Sequence, residues 1–596
     1  MKLFLALVLS LFSFSSFAAE EVTTSHGLSM HGDMKYKENF KHFDYVNPDA
    51  PKGGILREHV VGSYDNLNAF IFKGLPASDL DLVYDTLLQS SDDEPFSEYA
   101  RLAESIEHPE DNSYIRFNLN KAAKFHDGTS VTPEDVIWTF ETLKEKGLPF
   151  YRSYYSGVKE AKKTGEHQVT FTFENPKNRE LPLILGQLPV LPKHFWEGKK
   201  FDATTLEKPL GSGPYKIVTV EPGKSIVYER VKDYWGADIP VNKGRYNFDI
   251  VRVDYYRDAT VAVEALLANE YDYRVENIAK TWATTYKDAQ AVKDGDIKIE
   301  KLEHERPAGM QAFVMNLRHP LFQDIAVRKA INLAFDFEWS NKQFAYGAYT
   351  RTDSFFENSE LASTGKPSKA ERKLLEPFKD QLPPELFEEE FKLPKTKGDG
   401  NNRKQLKEAI QLLEDAGYEL GEDGYRYDPK TGKKLKFEII ENQPTFERWI
   451  APMIANLKKI GIEASFRTID TAQYQNRILE HDYDMTVQVF GQSLSPGNEQ
   501  VEYWHSTKAD QAGSRNWAGI KDPVVDALVD KIVHAESRDD LVTASRALDR
   551  VLLWNYYVVP QWHLNSFRVA YWDKFGQPSK RAPYNLNILD TWWAKK

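Results

Sequence analysis

The chain has no cysteine among its 596 residues. This absence excludes disulfide bonds, thiol nucleophiles and cysteine metal ligands. Beyond the N-terminus, no uninterrupted apolar run is long enough to span a bilayer. The chain also lacks an excess of basic residues, since its 77 Lys and Arg are outnumbered by 89 Asp and Glu, which gives a formal net charge of -12. No basic excess is available to displace counterions, which argues against a nucleic-acid partner.

The N-terminus has the pattern of a secretory signal. Lys2 precedes an apolar segment over residues 3–17, and Ser16-Phe17-Ala18 fits the small-x-small rule for cleavage. We predict a signal peptide over residues 1–18 and a mature protein that begins at Ala19. A membrane anchor is disfavoured, because the apolar segment is short and no stop-transfer flank follows it.

The length and the periodicity of the chain predict a multidomain α/β protein. A chain of 596 residues is too long for one hydrophobic core. Helical and strand patterns alternate throughout, with helices predicted near residues 326–334 and 406–416 and strands near 169–173 and 435–440. Residues 365–402 are polar and rich in proline, which predicts a surface insertion with short helical pieces.

One segment is especially informative about local structure: KFHDGTSVTPEDVIWTF (124–140). We expect Phe125 to end a strand and Asp127-Gly128 to form the tight turn after it. Thr132 is then able to cap a helix whose first residue is Pro133. This local pattern alone implies no function.

The same segment resembles the N-terminal signature of the family 5 extracellular solute-binding proteins, which serve peptide-importing ABC transporters. Further segments follow in the order of that family: YDTLL (84–88), ARLAES (100–105), GSGPY (211–215), DYWG (233–236), DIAVRKAINLAFD (324–336), LLEDAGY (412–418) and DPVVD (522–526). Three others are similar to the Yej-type branch, which is linked to oligopeptides and the peptide-nucleotide antibiotic microcin C: RDATVAVEALL (257–267), FGQSLSPGNEQ (490–500) and SRALDRVLLWNYYVVPQ (545–561). The resemblance spans nearly the whole mature chain.

The resemblance implies an α/β fold of the type II periplasmic binding proteins, cluster C, with two lobes joined by a hinge and an extra inserted subdomain. We expect a discontinuous lobe I over residues 19–75, 206–310 and 560–596. Subdomain II would cover residues 76–205 and lobe III residues 311–559. Hinge strands are expected near residues 311–316 and 558–562.

The resemblance also implies a binding protein without catalytic activity or cofactor. It would capture oligopeptides or peptide-like compounds in the periplasm and deliver them to an inner-membrane permease with cytoplasmic ATPase subunits. The absence of cysteine removes the lipidated residue that tethers such proteins in bacteria without an outer membrane, so a Gram-negative periplasm fits best. A monomer that does not span the membrane is expected.

Two segments have the small polar residues that suit recognition of a peptide backbone. The first is GSYDNLNAF, where Tyr64, Asp65, Asn66 and Asn68 follow a strand. An ordinary Asn-rich turn explains this segment equally well. The second follows the apolar strand at residues 485–489, and its candidate ligand-binding residues are Phe490, Gln492, Ser493, Ser495, Asn498 and Glu499.

The second segment departs from the family in one respect. Many oligopeptide receptors of the family have an aspartate there that pairs with the free amine of the peptide, whereas this chain has Ser493 near that position. Glu499 or Asp65 is a candidate replacement. Alternatively, the ligands have blocked ends or ends that project outside the site.

Four residues further along are similar to a family segment that returns to the cleft: Trp504, Arg515, Asn516 and Trp517. Trp517 is able to stack on a ligand side chain, and Arg515 is able to bind a carboxylate or a phosphate-like group bidentately. Core packing explains the two tryptophans equally well.

Catalytic motifs are incomplete in this sequence. Gly491-Gln492-Ser493-Leu494-Ser495 lacks the final glycine of a nucleophile elbow. No H-E-x-x-H motif occurs among the scattered histidines, and no metal site is predicted. Two alternatives remain: the same fold with another cargo, such as an oligosaccharide, haem or a nickel chelate, and a secreted glycoside hydrolase that uses paired carboxylates.

Overall fold

A computed structural model describes residues 22–176 and 178–595. The predicted signal peptide and the predicted cleavage before Ala19 lie outside these residues. The strands are, in chain order, β1 (Val22–Ser25), β2 (Gly27–Ser29), β3 (Ile55–Val61), β4 (Leu88–Ser90), β5 (Ser97–Ala100), β6 (Ala103–Pro109), β7 (Tyr114–Leu119), β8 (Val158–Gly165), β9 (Gln168–Phe173), β10 (Tyr215–Glu221), β11 (Ser225–Arg230), β12 (Ile250–Tyr256), β13 (Tyr273–Val275), β14 (Ile297–Glu303), β15 (Met310–Met315), β16 (Thr350–Arg351), β17 (Glu419–Leu420), β18 (Arg426–Tyr427), β19 (Lys436–Glu441), β20 (Glu463–Thr468), β21 (Met485–Phe490), β22 (Val558–Pro560), β23 (Trp562–His563), β24 (Ser566–Trp572), β25 (Phe575–Gly576) and β26 (Trp593–Ala594).

Helices alternate with these strands. They are α1 (Pro133–Lys146), α2 (Pro149–Tyr154), α3 (Leu181–Gly186), α4 (Lys193–Trp196), α5 (Ala259–Leu267), α6 (Tyr286–Asp288), α7 (Gln290–Lys293), α8 (Ile325–Ala334), α9 (Phe337–Ala345), α10 (Lys369–Leu375), α11 (Glu385–Glu388), α12 (Arg403–Asp415), α13 (Glu447–Lys459), α14 (Thr471–Leu479), α15 (Glu499–Trp504), α16 (Pro523–Val533), α17 (Arg538–Trp554) and α18 (Ile588–Thr591). None of the helices within the described ranges is both long and apolar enough to cross a membrane.

The larger sheets come from different parts of the chain. An N-terminal five-stranded sheet has the order β1-β6-β7-β9-β8, and a four-stranded sheet has the order β10-β11-β12-β3. A C-terminal five-stranded sheet has the order β20-β19-β21-β15-β22. In this last sheet β20, β19 and β21 are parallel, whereas β15 runs antiparallel to β21 and β22.

The hydrophobic cores follow the same grouping. One core joins the N-terminal five-stranded sheet to the four-stranded sheet through side chains such as Phe117, Phe171, Tyr215 and Val251. Two other cores cover the opposite faces of the C-terminal five-stranded sheet, because alternate residues of β15 point to opposite sides. Ala312 lies in one of these cores and Phe313 in the other.

The pairing of β1 differs from the predicted chain division. The prediction places residues 22–25 in lobe I, but β1 pairs with β6, which lies in the range predicted for subdomain II. Likewise, β2 pairs with β5. The first strands after the predicted signal peptide therefore extend sheets of the inserted segment.

Two crossing segments connect the C-terminal five-stranded sheet to the rest of the chain: residues 304–309 and 561–565. Hydrogen bonds pair the chain at both ends of the crossing: the amide of His304 donates to the carbonyl of Asn565 over 3.0 Å, and the amide of Gln561 donates to the carbonyl of Gln311 in β15 over 2.9 Å. The hinge was predicted at residues 311–316 and 558–562, most of which are strands of the sheet itself. The crossing segments adjoin these ranges, and the hinge itself stays a prediction.

The capped helix predicted in the informative segment is confirmed. Thr132 caps α1: its Oγ1 accepts from the amide of Asp135 over 3.3 Å, and a carboxylate oxygen of Asp135 accepts from the amide of Thr132 over 2.9 Å. The strand predicted to end at Phe125 is wrong. The chain there forms a loop closed by an isolated bridge between Lys124 and Ser130, in which the amide of Phe125 donates to the carbonyl of Thr129 over 2.8 Å.

Candidate functional site

A cavity of about 430 Å³ lies at one edge of the C-terminal five-stranded sheet. The carboxyl ends of parallel strands meet at the same edge of a sheet, and ligands of open α/β sheets bind there. Glu441 ends β19 at this edge, and Gln488 lies near the end of β21. The residues around the cavity are Glu441, Asn442, Gln443, Tyr474, Gln475, Ile478, Leu479, Gln488, Gly513, Ser514, Arg515 and Trp517.

The aromatic wall of this cavity is built on a buried stack. Trp517 is half-buried and packs on Phe490, with ring centroids 5.0 Å apart. Phe490 stacks on Trp504 at 4.5 Å, and the indole Nε1 of Trp504 donates to Gln500 over 2.9 Å. Phe490 and Trp504 are fully buried and support the wall from behind. Of these three predicted residues, Trp517 alone lines the cavity.

The cavity has one acidic and one basic lining residue. Glu441 is 4% exposed, and burial raises the pKa of its carboxyl above the ordinary value. Arg515 is exposed, and its Nη1 lies 3.4 Å from the hydroxyl of Tyr503. Within the described residues, neither of the two forms an ion pair. Each charge is therefore available to a ligand group of opposite sign.

The polar loop after β21 has mixed environments. Ser493 is exposed, and Gln492 is half-buried. The Oε1 of Gln492 accepts from Gln500 over 2.6 Å, whereas its buried Nε2 has no hydrogen-bond partner in the described part of the chain. Ser495 is buried, and its hydroxyl accepts from Arg538 over 3.1 Å. Gln492 and Ser493 thus retain polar atoms for other partners, while Ser495 helps to hold the loop.

The end of this loop touches the segment before α3. A carboxylate oxygen of Glu180 accepts from the side-chain amide of Asn498 over 2.7 Å and from its backbone amide over 3.1 Å. Glu499 lies beside this contact, and burial, followed by the charge of Glu180, raises the pKa of Glu499 to about 7. Burial likewise raises the pKa of Glu180. This contact joins the C-terminal five-stranded sheet to the N-terminal half of the chain.

Arg515 lies at the same boundary. The pKa of Tyr154, on α2, is raised by burial and by the charges of Glu499 and Glu180, and is lowered by that of Arg515. The charges of these side chains therefore act on one another across this boundary. The Arg515 end of the cavity faces the N-terminal half of the molecule.

The GSYDNLNAF segment is not brought to this cavity. Tyr64 is buried and donates to the carbonyl of Ser225 over 2.7 Å. Asn66 and Asn68 are also buried, and their amide groups bond to backbone groups of the surrounding loops. Asp65 is exposed and accepts from the amide of Leu75 over 2.6 Å. These contacts have the geometry of a turn that is held by its own side chains.

Asn516 has a similar internal role. Its side chain exchanges hydrogen bonds with the backbone of Ile520 over 2.8 and 3.0 Å and also donates to the carbonyl of His505 over 3.2 Å. It is fully buried. The side chain therefore holds the bend between Arg515 and the helix that follows, and its polar atoms face the protein.

Sequence reasoning missed several residues of the cavity. Glu441, Asn442 and Gln443 follow the apolar strand β19 just as the polar loop follows β21. That pattern of small and polar residues after a buried strand was a usable signal. Tyr474 has no such signal, since it comes from α14 and reaches the cavity only through packing.

A buried guanidinium without hydrogen-bond partners among the described residues lies in β24, just after the second crossing segment. Arg568 on β24 is 2% exposed, and its Nε, Nη1 and Nη2 have no hydrogen-bond partner among the residues described. Its guanidinium lies 5.6 Å from the ring centroid of Tyr349, which stacks on Trp562. A buried cation without an anion is costly, so this position also favours a ligand carboxylate.

Comparisons with known proteins agree with this architecture. The model of the bacterial extracellular solute-binding proteins, family 5 Middle, matches residues 99–512. A probable peptide-binding protein YejA of Agrobacterium fabrum (strain C58) is 45% identical, with 96% of this chain and 94% of the relative covered. A peptidoglycan-binding protein YepA of the same organism is 39% identical, with 95% and 94% covered.

A solved structure has the same fold. The oligopeptide-binding protein AppA of Bacillus subtilis, in complex with a nonapeptide, superposes with a TM-score of 0.67 at 21% identity. The match covers 92% of this chain and 100% of AppA. The predicted two-lobed fold class is thereby confirmed. With the family model and the full-length relatives, these findings establish that the chain belongs to the family 5 extracellular solute-binding proteins.

Proposed function

We propose that this protein is the periplasmic receptor of an ABC importer and captures oligopeptides or peptide-like compounds. The observation that carries the proposal is the cavity at the carboxyl ends of β19 and β21, which has an aromatic wall and a carboxylate and a guanidinium that form no ion pair with the described residues. Such a cavity suits a ligand with both charges and an apolar side chain. Relatives described as peptide-binding and peptidoglycan-binding support the cargo class.

The proposed mechanism is closure of two lobes about the crossing segments. We assign residues 311–559 to lobe III and the residues before and after them to lobe I and subdomain II. Contacts of the ligand with both sides would favour the closed state, in which Asn498 meets Glu180. A permease in the inner membrane would recognise the joined surfaces, and ATP hydrolysis would belong to that partner.

The ligand contacts would come mainly from lobe III. Among the residues predicted from sequence, we retain Gln492, Ser493, Arg515 and Trp517 as direct contacts, because their groups are exposed or unsatisfied. Asn498 and Glu499 would act in closure. The buried guanidinium of Arg568 is a further candidate for a ligand carboxylate.

Thermal unfolding tests the cargo. Protein that has been unfolded and refolded to remove bound ligand is mixed with free-ended peptides, end-blocked peptides, a peptide-nucleotide, cell-wall peptides, oligosaccharides or haem. A ligand at a hundred times its dissociation constant should add about 2.7 kcal/mol to the free energy of unfolding. Stabilisation by peptides is expected, and stabilisation by sugars or haem alone would refute the peptide cargo.

A further inference from the structure

Among the described residues, Glu441 is the one acidic residue that lines the cavity. It ends β19 and is 4% exposed. The other carboxylates named in the sequence analysis are engaged elsewhere. Glu499 accepts from the amide of Gly497 over 2.9 Å beside Glu180, and Asp65 accepts from the amide of Leu75. Neither of them reaches the cavity.

The protein does not neutralise Glu441. The amide of Asn442 donates to its Oε1 over 2.8 Å, but no Lys, Arg or His of the described ranges forms an ion pair with it. The buried Glu371 is different, because the guanidinium of Arg550 donates to it over 2.8 Å. A buried carboxylate without a cation is costly to keep ionised, and a cation from outside would offset that cost.

We propose that Glu441 binds the cationic group of the ligand, an ammonium or guanidinium, at the carboxyl end of β19. This inference rests on the proposed function and adds the charge that the ligand must have. Arg515 lines the same cavity without an ion pair, so the preferred ligand has a cation and an anion that both enter lobe III. Trp517 lines the same cavity and would contact the apolar part of the ligand between its two charges.

Two kinds of cation fit this position: the N-terminal amine of a peptide and the side chain of a basic residue. Isothermal titration calorimetry separates them with three probes. These are tetra-alanine with a free amine, N-acetyl-tetra-alanine, and N-acetyl-tetra-alanine with one alanine replaced by lysine. The protein is stripped of ligand, and the variant is Glu441→Gln, which keeps the shape of the side chain.

We expect Glu441→Gln to weaken binding of a cationic probe about 10- to 100-fold, the range given by a charged hydrogen bond. Binding of N-acetyl-tetra-alanine should change less than about threefold. The probe that loses affinity identifies the source of the cation. Glu408→Gln is the matched control, because Glu408 is exposed on α12 and lies outside the cavity.

The other possible results distinguish failure of this inference from failure of the proposed function. Equal loss for all three probes would mean that Glu441 is structural and would overturn the inference. Wild-type protein that binds acetylated and cationic probes equally, with no effect of the substitution, would overturn it while the proposed function stands. Failure of every peptide to bind wild-type protein would refute the proposed function itself. Ligand-free Glu441→Gln should unfold at the same temperature as the wild type or higher, which would exclude misfolding.

Discussion

Gly309 links the first crossing segment to the loop after β21. Its φ is +67°, a left-handed conformation that favours glycine, and an added Cβ would lie 2.4 Å from the carbonyl oxygen of Phe490. Phe490 supports the aromatic wall of the cavity. The backbone of the first crossing segment therefore packs directly against Phe490, which supports the aromatic wall of the cavity.

We expect Gly309→Ala to lower the free energy of unfolding by at least about 1 kcal/mol more than Gly347→Ala. Gly347 has a φ of +69°, but an added Cβ there would have no neighbour within 4 Å. Both substitutions share the backbone penalty, and only the first has the steric clash. Urea denaturation measures the difference, and equal losses would contradict the role of the Phe490 contact.

Single residues also mark the limit of sequence-based site prediction. The amides of Asn66 and Asn68 have the composition of a backbone-reading site, yet their hydrogen bonds are internal. Composition cannot distinguish these cases, because it does not show which groups already have partners. Glu441 had a usable signal in its position after the apolar strand β19, but its lack of an ion pair with the described residues is visible only in the structure.

Individual elements were the most predictable feature. The helices α8 and α12 and the strands β9 and β19 lie where their periodicities indicate, because each encodes its own apolar face. The polar stretch at residues 365–402 does contain short helices, as predicted. Its apolar side chains, however, enter one of the C-terminal cores, and the sequence could not show this because α17 lies far along the chain.

The cap of α1 provides a test at this scale. We expect Thr132→Ala to lower the free energy of unfolding by about 1 kcal/mol, since it removes the side-chain acceptor for the amide of Asp135. Thr219→Ala is the control, because Thr219 is an exposed strand residue and surface substitutions change stability by about 0.5 kcal/mol or less. Chemical denaturation followed by circular dichroism compares them. A loss no larger than that of the control would show that the capping box does not stabilise α1.

At the scale of the whole molecule, the contact between Glu180 and Asn498 predicts that the proposed closure is sensitive to pH. In this structure burial raises the pKa of both Glu180 and Glu499, that of Glu499 to about 7 with a further contribution from the charge of Glu180. If the lobes separate at this contact, both carboxyls would regain solvent and the two pKa values would fall. A carboxyl whose pKa is raised destabilises the folded state above that pKa, and this penalty disappears as the pH falls toward the unfolded value. The closed state should therefore be favoured on acidification from pH 8 to pH 6.

The test measures the free energy of unfolding of the wild type and of Glu499→Gln from pH 8 to pH 6. The free energy of unfolding of the wild type should rise by about 1 kcal/mol relative to that of the variant as the pH falls. This value is smaller than the full pKa shift implies, because Glu499 is only half-buried and solvent screens its charge. The difference between the two proteins removes the contributions of histidines and other shared groups. Parallel pH profiles would mean that Glu499 remains ionised in the closed state.

In the proposed closure, the two crossing segments also restrict the kind of motion. The amide of His304 bonds to Asn565 and that of Gln561 bonds to Gln311, so the chain is paired on both sides of the crossing. Sliding one segment past the other would break both hydrogen bonds, whereas bending between them would keep both. The proposed opening and closing would therefore return Asn498 to the same carboxylate of Glu180.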